Sequence, residues 1–93
     1  MGPVANHPLR GRRLRRAVMV ALLRAGRPLT IGEILVAVEH SGRTVDGGQP
    51  RKRLADALGY EARRGWVVRV ERGTYVVGRV SRTSQWRLLN RPD

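Results

Sequence analysis

Apolar residues along this chain recur first at helical spacing and then, abruptly, at every second position. Leu14, Ala17, Val18, Ala21, Leu22 and Ala25 follow the 3.6-residue period and predict a first helix that stops at Gly26 and Pro28. Met19, Val20 and Leu23 make the other side of that helix apolar too, which predicts burial on more than one face. Ile34, Leu35 and Val38 define a short second helix from about Ile31 to His40. Thr30 and Glu33 fit a capping box at its start, and Gly42 is a natural stop. Leu54, Leu58 and Ala62, flanked by Ala55, define a third helix opened by Pro50, whose missing N–H is harmless at a first helical position. At Gly65 the period changes to two: Trp66, Val68 and Val70 alternate with Val67, Arg69 and Glu71. Arg72-Gly73 then makes a tight turn and residues 74–77 run back. A two-residue turn there places Val70 opposite Tyr75 and Val68 opposite Val77, with the apolar residues on one face. Leu29 is placed to pair with this hairpin as a one-residue strand.

The ends of the chain lack that regularity. Residues 1–11 carry two prolines and the first arginine, Arg10, and are expected to form a basic, disordered arm ahead of a domain spanning 12–78. Residues 79–93 read as a basic extension in which Ser84 caps a short helix holding Trp86, Leu88 and Leu89. The pattern leaves two apolar groups without partners: Met19, Val20 and Leu23 on the first helix, and Trp86, Leu88 and Leu89 in the extension. Exposing both would create a patch larger than a soluble monomer tolerates. Either they cover each other within one chain or they meet their symmetry mates, and the expectation is a homodimer. The basic start and the apolar run 17–23 imitate a signal peptide, but Arg24 interrupts the run and no small-residue cleavage site follows. No stretch approaches the roughly 18 apolar residues of a membrane span, and no membrane partner is expected.

Charge narrows the class of partner. Nineteen basic residues against seven acidic ones give a formal net charge of +12, and Lys52 is the one lysine among them. A GC-rich genome accounts for arginine over lysine but not for the excess over acid. So strong a positive balance in 93 residues is the electrostatic footprint of a polyanion partner. Cysteine is absent, so neither a disulfide framework nor a cysteine zinc site is available. Neither His7 nor His40 has a ligand set around it, and no metal or cofactor is expected. The acids are explained as a cap, helix faces and a loop, the serines have no histidine base, and Gly47-Gly48 lacks the phosphate-loop pattern. An enzyme is not expected.

A basic helix followed at once by a short hairpin resembles the recognition helix and wing of winged helix-turn-helix DNA-binding domains. The resemblance covers residues 14–78 and rests on the element order and the stretch RRGWVVRVERGTY; it is closest to HARE-like winged helices and small bacterial winged-helix regulators. The loop 43–48 is longer than the three-to-four-residue turn of a strict helix-turn-helix, which favours variants with longer loops. The implied fold is α+β, mainly α: three helices followed by a two-stranded β-hairpin wing. The implied function is a cytoplasmic, nucleoid-located transcriptional regulator that reads duplex DNA with the helix 50–64 and grips the backbone with wing and arms. Gln49, Arg51, Lys52, Arg53, Tyr60, Arg63 and Arg64 are the expected contacts from the helix, where arginine reads guanine and glutamine reads adenine. Arg69 and Arg72 belong to the wing, and Arg10, Arg12 and Arg13 to the arm. Two other readings stay open: a nucleoid-associated or RNA-binding protein with little sequence preference, and a winged-helix interaction module for an acidic protein. Only four aromatics are present, with no strand pair for base stacking, and Trp66 and Tyr75 are read as core.

Overall fold

A computed structural model describes residues 8–90, which form a mainly helical α+β structure. In chain order the elements are α1 (Gly11–Ala25), β1 (Leu29–Thr30), α2 (Ile31–His40), α3 (Pro50–Arg63), β2 (Val67–Glu71), β3 (Thr74–Val77) and α4 (Arg82–Asn90). The strands form one antiparallel sheet in the order β1-β3-β2, so the sequence-distant β1 closes the hairpin on its β3 side. Leu14, Val18, Met19 and Leu22 of α1, Ile34 and Val38 of α2, and Leu54, Ala57 and Leu58 of α3 meet in a single core with Leu29 and Val67.

Each helix end carries a local reason. Thr30 accepts from Glu33 N at 3.1 Å, and Glu33 Oε1 accepts from Thr30 N at 2.9 Å, the reciprocal capping box the spacing predicts. Pro50 opens α3, and Gly26 closes α1 with φ +63°, a left-handed conformation that favours glycine. Ser81, not Ser84, starts α4: its hydroxyl accepts from Ser84 N at 3.1 Å, which moves the cap three residues upstream of the expected one.

Three sequence expectations are corrected. The first is the arm. Of the expected segment 1–11, residues 1–7 lie outside the described residues, but Leu9 is fully buried in the core. It bridges to Val45 in parallel, its N–H reaching Thr44 O at 2.7 Å while its carbonyl accepts from Asp46 N at 2.8 Å. The long loop before α3 is thus tied to the start of α1. No periodicity announced this, because one apolar residue flanked by polar ones has no period.

The second is the hairpin register. Arg72-Gly73 does form the turn, with Glu71 opposite Thr74. A bulge at Val70 then shifts the pairing by one, so Arg69 faces Tyr75, Val68 faces Val76 and Val67 faces Val77. A one-residue slip exchanges the faces of a strand. Val67 is therefore the buried residue, while Val68 and Val70 are about half exposed.

The third concerns number and packing. Among the described residues there are four helices and three strands, so the helix of the extension and the strand at Leu29 add to the three helices and two-stranded wing of the implied fold. The helix α4 lies against α1, with Arg16 Nη2 donating to Leu88 O at 2.8 Å and Val80 and Leu88 packed on the core. Met19 is buried and Leu88 partly so within this one chain. Of the expected dimer interface Met19 is thereby covered without a second copy and Val20, Leu23 and Leu88 partly so, while Trp86 and Leu89 stay exposed.

Candidate nucleic-acid interface

The third helix presents its charge in a graded way. Leu54, Ala57, Leu58 and Glu61 are buried, and at about 100° per residue the direction opposite to them carries Lys52, Asp56, Gly59 and Arg63. Lys52 and Arg63 are thus the cations that point most directly outward, and both are exposed, as is Gln49 at the N-terminal cap. Arg51 and Arg53 lie on the two flanks. The Arg51 guanidinium rests over Gly32 of α2, close enough that a Cβ there would sit 3.2 Å from Nη2. The Arg53 guanidinium rests over Gly47 of the preceding loop, where a Cβ would stand 3.0 Å away. Gly47 has φ +90°, so the loop needs glycine there on conformational grounds as well.

Tyr60 turns towards α1. Arg15 lies over its ring, 4.1 Å from the centroid, with Arg63 at 6.0 Å on the same residue. Arg64 stacks on Trp66 at 3.7 Å. Between the two stacks the side chain of Glu61 is buried, Oε2 at 3.8 Å from Arg15 Nε and Oε1 at 3.3 Å from Arg64 Nε. Burial pushes the Glu61 carboxyl above its ordinary value, and the charges of Arg64 and Arg15 pull it back only in part. Its Oε1 has no hydrogen-bond partner, so Arg64 supplies charge to it without an aligned N–H. Glu61 therefore holds two arginines against two rings on the α1–α3 side. Sequence reading placed it on an ordinary helix face and left Arg15 out of the site. The signal was present at Glu61, which falls at i+7 from Leu54 and i+3 from Leu58, but an acid in an apolar stripe reads as an interruption.

The hairpin is short. Its turn residue Gly73 accepts from Ile31 N at 3.1 Å, so the tip is tied to the start of α2 and does not project beyond the sheet. Arg69 and Arg72 are exposed on it. Arg12 and Arg13 are exposed in the first turn of α1, and Arg10 lies 3.8 Å from Asp46 at the loop before α3. Of the other acids, Glu33 is held ionised, its carboxyl pulled below the ordinary range first by the Thr30 backbone N–H and then by the Arg27 charge. Three of the acids are thus each close to an arginine: Asp46 to Arg10, Glu33 to Arg27, and Glu61 to both Arg15 and Arg64.

Among the described residues no helix is long and apolar enough to cross a membrane. Comparison with protein-family models, curated proteins and solved structures finds no match.

Proposed function

We propose that this chain is a winged-helix protein that binds duplex DNA and acts as a transcriptional regulator, with α3 entering the major groove. One observation carries the reading: β1, lying between α1 and α2, pairs with the hairpin that follows α3, and this frame leaves α3's basic outer face exposed. In this reading Lys52 and Arg63 meet the groove first, with Gln49 and Arg53 beside them. Tyr60 and Arg15 flank the groove, and Arg12, Arg13, Arg69 and Arg72 meet phosphates. The arginine–aromatic stacks hold Arg15 and Arg64 in place before DNA arrives, which lowers the entropy lost on binding.

The test is fluorescence anisotropy of a labelled duplex titrated with the chain at several salt concentrations. The expected result is micromolar or tighter binding whose logarithm falls linearly with log salt, by roughly 0.9 for each phosphate neutralised. An affinity that is absent, or that hardly changes with salt, rejects the proposal.

A further inference from the structure

The helices α1 and α2 do not close against each other along their whole length. Between them, with α4 at one side, runs an open trough of about 1040 Å³. The apolar part of its surface is aliphatic: Ala17, Val20 and Ala21 come from α1, Val36 from α2 and Leu89 from α4. Val36 is 51% exposed and Leu89 39%, so the trough holds apolar area that nothing in the described chain covers. Ala25, Gly32 and Ala37 also line it, and such small residues let another backbone approach closely. Among the described residues five arginines line it, Arg16, Arg24, Arg27, Arg43 and Arg51, with one carboxylate, Glu33; of these Arg16 already donates to Leu88 O. That carboxylate is already engaged with the Thr30 N–H and lies 3.6 Å from Arg27.

We propose that this trough binds an acidic amphipathic helix of a partner protein. Apolar residues at i, i+3, i+4 and i+7 would fill the aliphatic surface, and carboxylates on either side would meet Arg24, Arg27 and Arg51. The ten residues of α2 border roughly 15 Å of trough, enough for about ten residues of an occupant helix. Charge selects this occupant over a second copy: each chain carries +12, and an isologous contact would set the same arginines face to face. The lining selects it over nucleic acid, since a polynucleotide would leave the aliphatic area of Val20, Val36 and Leu89 without an apolar partner. Only Arg51 is shared with the residues assigned to DNA, so this inference stands independently of that assignment.

The probe is a labelled synthetic peptide of about two helical heptads, with leucines at those four spacings and glutamates elsewhere. Its control has the same composition with the leucines dispersed, hence the same charge and no apolar face. Anisotropy with the full chain at physiological salt should show the amphipathic peptide binding at least roughly tenfold tighter than the control, about 1.4 kcal/mol. Val36→Asp should abolish that preference and leave affinity for duplex DNA within about twofold of the parent's. Leu89→Asp, on a different helix, should do the same and guards against a folding defect at Val36, which circular dichroism would reveal. Equal affinity for the two peptides, or a preference that survives both substitutions, overturns the proposal. So does light scattering that finds a dimer which Val36→Asp dissociates, because the trough would then belong to a second copy. Displacement of the peptide by single-stranded RNA whose own binding is lost in Val36→Asp would likewise overturn it. Loss of DNA binding in the parent, with peptide preference intact, would reject the DNA assignment and leave the trough standing.

Discussion

Glu61 shows how one side chain can work against the fold's stability while it organises a surface. Its carboxylate is buried, its Oε1 lacks an aligned donor, and burial outweighs the two arginine charges in setting its protonation. The sign of the pH effect follows. In the unfolded chain Glu61 releases its proton near the ordinary value of 4.5, before the folded chain does. Its contribution to stability therefore falls as pH rises from that value to the raised one, and is level above it. Glu61→Gln has no proton to release. Urea unfolding should find the parent's stability relative to Glu61→Gln greatest below pH 4 and lower at neutral pH. A parent advantage that grew towards neutral pH would mean that pairing with Arg15 and Arg64 outweighs burial. Leu9 acts in the opposite direction. It is wholly buried, so Leu9→Ala should cost roughly 2–5 kcal/mol by denaturant unfolding. A loss under about 0.5 kcal/mol would return Leu9 to an arm outside the core.

At the scale of elements, the base of the hairpin is the tightest joint. Gly78 N donates to Trp66 O and Arg79 N to Gly65 O, both at 2.8 Å. A Cβ on Gly78 would fall 2.4 Å from the Gly65 carbonyl oxygen, a backbone atom that cannot swing aside. Gly78→Ala should therefore destabilise the chain by roughly 1–3 kcal/mol or more and speed amide exchange at residues 78 and 79. An alanine variant as stable as the parent, with unchanged exchange, would show that the strand ends can part freely. The faces of α3 make a second prediction, which rests on the proposed DNA binding. Lys52→Ala and Arg63→Ala should weaken duplex binding more than Arg51→Ala, because Arg51 lies over Gly32 on the α2 side. Arg72→Ala should weaken binding to every duplex about equally, as loss of a phosphate contact does. If Arg51→Ala cost the most, the face of α3 that meets DNA would have to be turned by about a quarter-turn towards α2.

Over the whole molecule two kinds of cationic surface occur, one with little apolar area and one with an aliphatic floor. The outer face of α3 and the hairpin carry cations with little apolar area beside them, apart from the valines of β2. The trough between α1 and α2 carries both cations and aliphatic area, and α4 forms its third wall. A single chain could then hold duplex DNA on one side and an acidic helix on the other, and the two should bind without mutual exclusion. Adding saturating amphipathic peptide to a preformed duplex complex should therefore leave the duplex bound and its affinity lowered by less than about tenfold, through charge neutralisation alone. Stoichiometric displacement of the duplex by the peptide would show that both use one surface.

Periodicity and end signals determined the helices and the turn, because those depend on neighbours within four residues: the Thr30–Glu33 capping box, Pro50 opening α3, and Arg72-Gly73 reversing the chain. Net charge determined that a polyanion is the partner to test, and charge needs no fold to be counted. Tertiary structure decided what depends on residues far apart. The hairpin's faces were set by a bulge at Val70, which changes which valine the core receives without altering the sequence pattern. Leu9 joined the core because the loop at Thr44 and Asp46 offered it a carbonyl and an N–H. The resting places of Arg51, Arg53 and Arg64 were likewise decided by neighbours: Gly32 of α2 beneath Arg51, Gly47 of the preceding loop beneath Arg53, and Glu61 with Trp66 around Arg64. A helical wheel places a side chain on a face, but packing decides where its charged end comes to rest.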